Sequence, residues 1–299
     1  MKIALLYASH AIECWSTPIA IHNEFIRRGH EVQYYNLFND LKSYCFDNFY
    51  KLQQEFKEGY KPDVIFCMDM GCWDHIDFDK KYFPGVVMVS EAGDEPQHFD
   101  YNVRKTPKVH LVLSPDIPSV VRHQSLGTLC EYWTHHADHH IFYPRNIKEI
   151  YDCVTTCGPR GNGLTDSIKN RLGDAFNNER YFDGNDYAER LCMGKIVFQC
   201  SQYKEVTRRL FEGMSCGKMV ITDRLPSHTN IDKMFIENED IVYYDSSDDA
   251  IDKIRYYATH DNERNRIAKN GFLKVMNNHT VTQRVEAFEI LVQSCQSKL

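Results

Sequence analysis

The chain keeps changing its hydrophobic period. Short apolar runs alternate with longer stretches whose apolar residues recur every three or four positions. A short continuous apolar run reads as a strand buried on both faces, and the longer pattern as a helix laid against it. In the first half the strand-like runs are "KIALLYA" (2–8), "EVQYYNL" (31–37), "DVIFCMD" (63–69), "GVVMVSE" (85–91), "KVHLVLS" (108–114) and "LCEYWT" (129–134). "TPIAIHNEFIRRGH" is the first helix, with Thr17 as cap, Pro18 in the first turn and Gly29 at its end. "DIPSVVRHQSLG" is another, ended by Gly127. Strand and helix in alternation specify a parallel, doubly wound sheet.

The alternation stops at "HHADHHIFYPRNIKEI", which has no clean period and contains Pro144, so 135–149 reads as a linker. It then restarts. "YDCVTTCG", "ERYFDG", "KIVFQCS", "KMVITD" and "DIVYYD" read as strands; "TDSIKNRLGDAF", "DYAERLCM", "KEVTRRLFEGMSC" and "DDAIDKIRYYATH" read as helices. Two helices close the chain. The first, "DNERNRIAKNGFLKVMNN", has a possible break at Gly271; the second, "TVTQRVEAFEILVQSC", opens with capping-box spacing at Thr280 and Gln283. The expected architecture is therefore α/β, with two Rossmann-like units, residues 1–142 and 150–279, and a terminal helix over 280–299. Ligands in such sheets bind beyond the carboxyl ends of the strands.

Composition narrows the function. With 299 residues, 42% hydrophobic and 26% charged, the chain has the make-up of a soluble globular enzyme. A formal net charge of -7 gives no bulk attraction to nucleic acid or anionic membrane. The 11 cysteines lack any Cys-x-x-Cys pair, which fits reduced, buried thiols in a cytoplasmic protein. The N-terminus reads as a strand rather than a signal peptide, and no run is long enough to span a bilayer.

Four places carry candidate chemistry. In "KEVTRRLFEGMSCG", a helix from Lys204 sets Glu205, Arg209 and Glu212 on one face and Val206, Leu210 and Met214 on another. It reads equally as a solvated helix braced by Glu205–Arg209 and Arg208–Glu212 pairs, or as a site at a sheet edge. There a carboxylate binds ribose hydroxyls and an arginine grips a diphosphate. The turn "GPRGNG" offers Gly158, Arg160, Gly161 and Gly163 as a phosphate cradle, or as a plain strand–helix connection. The loop "SEAGDEPQH" gathers Glu91, Asp94, Glu95 and His98 after a strand and reads as a solvated acidic loop or as a site, and His10 follows the first strand. "HHADHH" has i,i+4 histidine spacing but no companion ligand pattern, and no metal is expected.

"RLFEGMSCGKMVITD" resembles the "FEAMACG-x-x-VI-x-x-D" signature of GT-B glycosyltransferases, nearest the family 4-like group and its spore-maturation (CgeB-like) branch. "RRGHEVQYYN", "KPDVIFCMD", "VSEAGDEP", "EYWTHHADHHIFYP" and "FDGNDYAERLCMGKIVFQCS" follow in the family's order. The resemblance implies two units facing across a cleft, with the acceptor on the first and a nucleotide sugar on the second. It implies that the terminal helix crosses back to the first unit, against the shorter alternative of staying on the second. Glu212 would contact the donor ribose and Arg209 the phosphates, with Gly184, Tyr187, Lys204 and Glu205 also donor-side. The family's E-x7-E pattern has Lys204 at its first glutamate, Glu205 coming one residue later. Asp94, Glu91 and His10 are the acceptor-side catalytic candidates. The implied chemistry is transfer from a nucleotide sugar with retention and no essential cofactor or metal. The acceptor would be a glycan, protein, small molecule or, less in keeping with the charge, modified DNA. Rival readings are a nucleotide-sugar epimerase and a non-catalytic binding module.

Overall fold

A computed structural model describes residues 1–7, 17–36, 52–68, 79–155, 157, 163–179 and 184–299. These fall into two compact units. The described residues up to Thr134 and Arg284–Leu299 form one; His135–Gln283 belong to the other.

The first unit is built on six parallel strands in the order β2-β1-β3-β4-β5-β6. They are β1 (Lys2–Tyr7), β2 (Glu31–Asn36), β3 (Val64–Cys67), β4 (Val87–Glu91), β5 (Leu111–Ser114) and β6 (Leu129–Tyr132). Ile3 to Tyr7 and Val64 to Cys67 are buried, as expected of central strands covered on both faces. Among the described residues before Thr134 the longer helices are α1 (Thr17–Arg27) and α2 (Ile117–Ser125). Asp116 starts α2: its carboxylate accepts from the Ser119 N–H at 2.9 Å, and Pro118 stands in the first turn.

The second unit repeats the plan with five parallel strands in the order β11-β10-β9-β7-β8. They are β7 (Tyr151–Thr155), β8 (Phe176–Asn177), β9 (Gly194–Gln199), β10 (Met219–Asp223) and β11 (Val242–Tyr244). Its longer helices among the described residues are α3 (Leu164–Leu172), α4 (Gly184–Met193), α5 (Arg208–Ser215), α6 (Ser247–Thr259) and α7 (Asp261–Asn278). Strand alternation divides β9 between two cores. Val197 joins Leu210, Phe211 and Met214 of α5, while Ile196 and Phe198 join Ile251 and Ile254 of α6.

Three expectations change. The strand expected in "ERYFDG" is at Phe176–Asn177, and residues 180–183 of that run lie outside the described residues. The helix expected from Lys204 starts at Arg208. No break occurs at Gly271. A Cβ there would lie 2.6 Å from the Asp240 carbonyl oxygen, so the glycine lets unbroken α7 pack close to that backbone.

The last helix, α8 (Val281–Gln296), opens with the expected capping box: Gln283 Oε1 accepts from the Thr280 N–H at 2.8 Å. The division between units falls inside this helix, after Gln283. Beyond it, Phe288 packs on Phe66 and Phe25, with ring centroids 4.6 and 5.2 Å apart. Arg28 is bonded to both Glu289 oxygens and to Glu286. The apolar stripe of α8 thus docks on the first unit from Arg284 onward.

Candidate active site

In both sheets the chain leaves its first strand to one side and returns on the other. The reversal lies between β1 and β3 in the first unit and between β7 and β9 in the second. Diverging connections leave a crevice at the carboxyl ends of those strands. The first of these edges runs into residues 8–16 and 69–78, so His10 lies outside the described residues. The second edge is better described, although Gly158, Arg160 and Gly161 also fall outside. Gly163 is described. It caps α3 in the left-handed conformation, φ 72°.

After β9 the chain bends at residues 202–204 before α5. Lys204 adopts a left-handed φ of 57°, and Thr207 caps the helix. This loop is pinned from β10. The Asp223 carboxylate accepts from the Ser201 N–H at 2.9 Å and hydroxyl at 2.7 Å, and pairs with Lys204 Nζ at 2.8 Å. Lys204 and Glu205 therefore precede the helix, and Glu205 does not share a helical face with Arg209 and Glu212. The helix starts late because Asp223 supplies the loop with partners that outcompete another helical turn.

Arg209 lies in the first turn of α5, half-buried, and its Nε donates to Gln199 Oε1 at 3.2 Å. Gln199 ends β9 and also donates to the Thr207 hydroxyl at 2.7 Å. Strand end, helix cap and arginine are thus one assembly. Glu212, one turn on, has no solvent exposure. Tyr187 of α4 donates to its Oε2 at 3.2 Å, and Arg208 Nε lies 2.7 Å from its Oε1. The second contact is a charge pairing whose angle is poor for a directed hydrogen bond. Burial raises the Glu212 pKa, and the charges of Arg208 and Arg209 work against that rise. Gly184 is the first residue of α4, one turn before Tyr187. Gly217 follows α5 with φ 72°, which turns the chain into β10, as its position predicts.

In the first unit, Glu91 ends β4 and Asp94 follows in a left-handed conformation, φ 53°. Asp94 is exposed and lies 3.8 Å from His98 Nδ1. Arg284 of α8 is the other charge felt at this edge. Burial pulls its pKa below the usual range, and Tyr132 and Glu91 favour its charged form. Glu95 departs from the expectation of a solvated acidic loop. It is fully buried, accepting from Ser114 Oγ at 2.5 Å and Asn102 Nδ2 at 3.1 Å, with His123 Nε2 at 2.9 Å. His123 Nδ1 in turn meets Thr106 Oγ1 at 2.7 Å. Nothing in the local pattern distinguished Glu95 from Asp94, and its partners come from separate elements. Gln199 and Asp223 were missed likewise; their signal was position at the ends of predicted strands. In "HHADHH", His136 and Asp138 are buried and Asp138 accepts from the His140 N–H at 3.1 Å.

Residues 157–290 match a family model described as glycosyl transferase-like, a span that contains the whole Gln199–Arg209–Glu212 assembly. No curated protein matches the chain. Among solved structures, Anabaena Alr3699/HepE in complex with UDP and glucose superposes with TM-score 0.74 at 13% identity, covering 98% of this chain and 100% of that one. Sucrose-phosphate synthase from Thermosynechococcus elongatus gives 0.75 at 12% identity, covering 100% of both chains. AviGT4, a glycosyltransferase involved in avilamycin A biosynthesis, gives 0.65 at 11% identity, covering 100% of this chain and 98% of that one. The fold is that of the GT-B structures, two Rossmann-like units of parallel sheet, and the matched segment is glycosyl transferase-like.

Proposed function

We propose that the protein moves a sugar from a nucleotide sugar to an acceptor, with the donor held on the second unit. The observation that supports this most is the coincidence of the glycosyl transferase-like segment with Arg209, Tyr187 and Glu212 at the β7/β9 edge. Arg209 at the start of α5 balances diphosphate charge together with the helix N-terminus. Glu212 accepts hydrogen bonds from the ribose hydroxyls in place of the long Tyr187 bond and the poorly aligned Arg208 contact. Two of the similar structures hold UDP with glucose or UDP-glucose, which makes a uridine diphosphate sugar the first donor to test.

The acceptor sits on the first unit, where Glu91 and Asp94 offer carboxylates for its hydroxyls. The reaction proceeds with retention and without an essential metal, the leaving diphosphate taking the acceptor proton. The acceptor class is a glycan, protein or small molecule; modified DNA fits the acidic charge less well.

A thermal-shift series with UDP-glucose, other nucleotide sugars and free nucleotides tests the donor. A ligand at a hundred times its Kd stabilises by about 2.7 kcal/mol. An unmoved melting transition with every nucleotide sugar overturns the reading. The closed environment of Glu212 favours a second reading, a binding module without turnover. Donor binding with neither sugar transfer nor nucleotide release identifies that case.

A further inference from the structure

Cys157 and Cys200 lie just past the carboxyl ends of β7 and β9, where the second sheet reverses. The register pairs Thr155 with Phe198, and Cys157 and Cys200 each follow two residues later, beyond the strands. The Cys200 N–H donates to Cys157 Sγ at 3.0 Å. As a thiol, Cys157 donates to the Cys200 carbonyl or to Gln199 Oε1, each 3.3 Å away. As a thiolate, it accepts from the Cys200 N–H.

We propose that Cys157 and Cys200 are an oxidation site that closes to a disulfide under a peroxide. Two observations set this pair apart. Cys200 is the one described cysteine that is not buried, so a small oxidant approaches here. Cys192 and Cys216 also lie side by side, but both are buried between α4 and α5. The environment also divides the pair's roles. The Cys200 side chain, then the Arg209 charge and the Cys200 N–H, stabilise the Cys157 thiolate, which makes Cys157 the attacking sulfur.

The Cys157 thiolate attacks one peroxide oxygen, the O–O bond breaks, and hydroxide leaves, forming a sulfenic acid. Cys200 sulfur then attacks the Cys157 sulfur. The S–O bond breaks, the Cys200 proton goes to the departing oxygen, and water leaves. Two thiols and one hydrogen peroxide give one disulfide and two waters. Closure removes the proton that Cys157 offers to Gln199 Oε1, the atom that also holds Arg209. Gln199 in turn bonds Thr207, the cap of α5. Oxidation therefore loosens the start of α5.

The test uses the full reduced chain exposed to hydrogen peroxide, with free thiols blocked and the digest sequenced by mass spectrometry. The expected product joins residues 149–160 to 196–204 through Cys157 and Cys200. Cys157→Ser and Cys200→Ser each abolish the link, Cys192→Ser keeps it, and reductant reverses it. Hydrogen exchange over 205–215 rises on oxidation of the wild type and stays unchanged in Cys157→Ser. Sulfinic or sulfonic acid at Cys157 without a link overturns the proposal, as does a link that survives Cys157→Ser through Cys153. An unchanged exchange pattern in the linked protein overturns the coupling to α5. The effect on donor rests on the function proposed above: UDP-glucose affinity is expected to fall severalfold on oxidation. Reduced protein that binds no nucleotide sugar defeats that donor assignment, whereas the disulfide is decided by the digest alone.

Discussion

Glu95 and Glu212 are both fully buried carboxylates near the carboxyl edge of a parallel sheet, yet they are held in opposite ways. Glu95 is met by three side chains from three places: Asn102 before β5, Ser114 at the end of β5, and His123 of α2. Glu212 has one long bond from Tyr187 and a poorly aligned partner, Arg208, on its own helix. The first arrangement fixes a loop. The second leaves a charged acceptor whose partners a ligand hydroxyl can replace. Burial alone separates neither case; the number, aim and origin of the partners do.

The largest expected effect is on the braced side. Glu95→Ala leaves His123, Asn102 and Ser114 without their common partner, which costs about 3–5 kcal/mol. The melting temperature should fall by on the order of 10 °C. If it falls by no more than an ordinary surface substitution, Glu95 is not a brace and the comparison breaks.

Glu212→Gln keeps the volume and a carbonyl for Tyr187 but removes the charge. Loss of charged hydrogen bonds to a ribose costs donor affinity about 1.5–3 kcal/mol. Glutamine rather than alanine is the informative change, because alanine also opens a cavity at a fully buried position. Titration calorimetry with UDP-glucose that gives equal affinity for both proteins would move Glu212 to the same class as Glu95.

Arg209→Lys tests whether the open side acts through geometry. Lysine keeps the charge but cannot hold Gln199 and fork a diphosphate together. About a tenfold loss in kcat/KM, roughly 1.4 kcal/mol, is expected. Unaltered turnover and donor affinity would reduce Arg209 to a fastening of α5.

Much of this was legible beforehand. The strand–helix alternation announces both parallel sheets, since a βαβ sheet needs each strand covered on both faces and the sequence shows that directly. Thr280 and Gln283 form their capping box, and Phe288 buries the stripe that its spacing describes. What was not legible depends on contacts far apart in sequence. Glu95 reads as a solvated acid until His123 and Ser114 arrive from other elements. Lys204 and Glu205 read as helix until Asp223, on the next strand, supplies the loop with partners. Short-range period predicts what a segment prefers alone; long-range polar partners decide where it stops.

The smallest effect is also the most direct probe of how Glu212 is held. Burial is the main cause of its shift, and it raises the folded-state pKa above the unfolded value of about 4.3. A raised carboxyl pKa means that the folded state binds the proton more tightly. The stability from this group is fully present below the unfolded pKa and is lost as pH rises through the folded pKa. Glutamine has no such dependence. The melting difference between wild type and Glu212→Gln, measured without ligand from pH 4 to 7, should therefore narrow as pH rises. The depressed pKa of Glu289, bonded to Arg28, predicts the reverse for Glu289→Gln. There the wild-type advantage is present above the unfolded pKa and shrinks as pH falls through the folded one. A Glu212 difference that widens with pH would mean that Arg208 dominates over burial. Glu212 would then be a saturated ion pair, held as firmly as Glu95, and no longer an acceptor open to exchange.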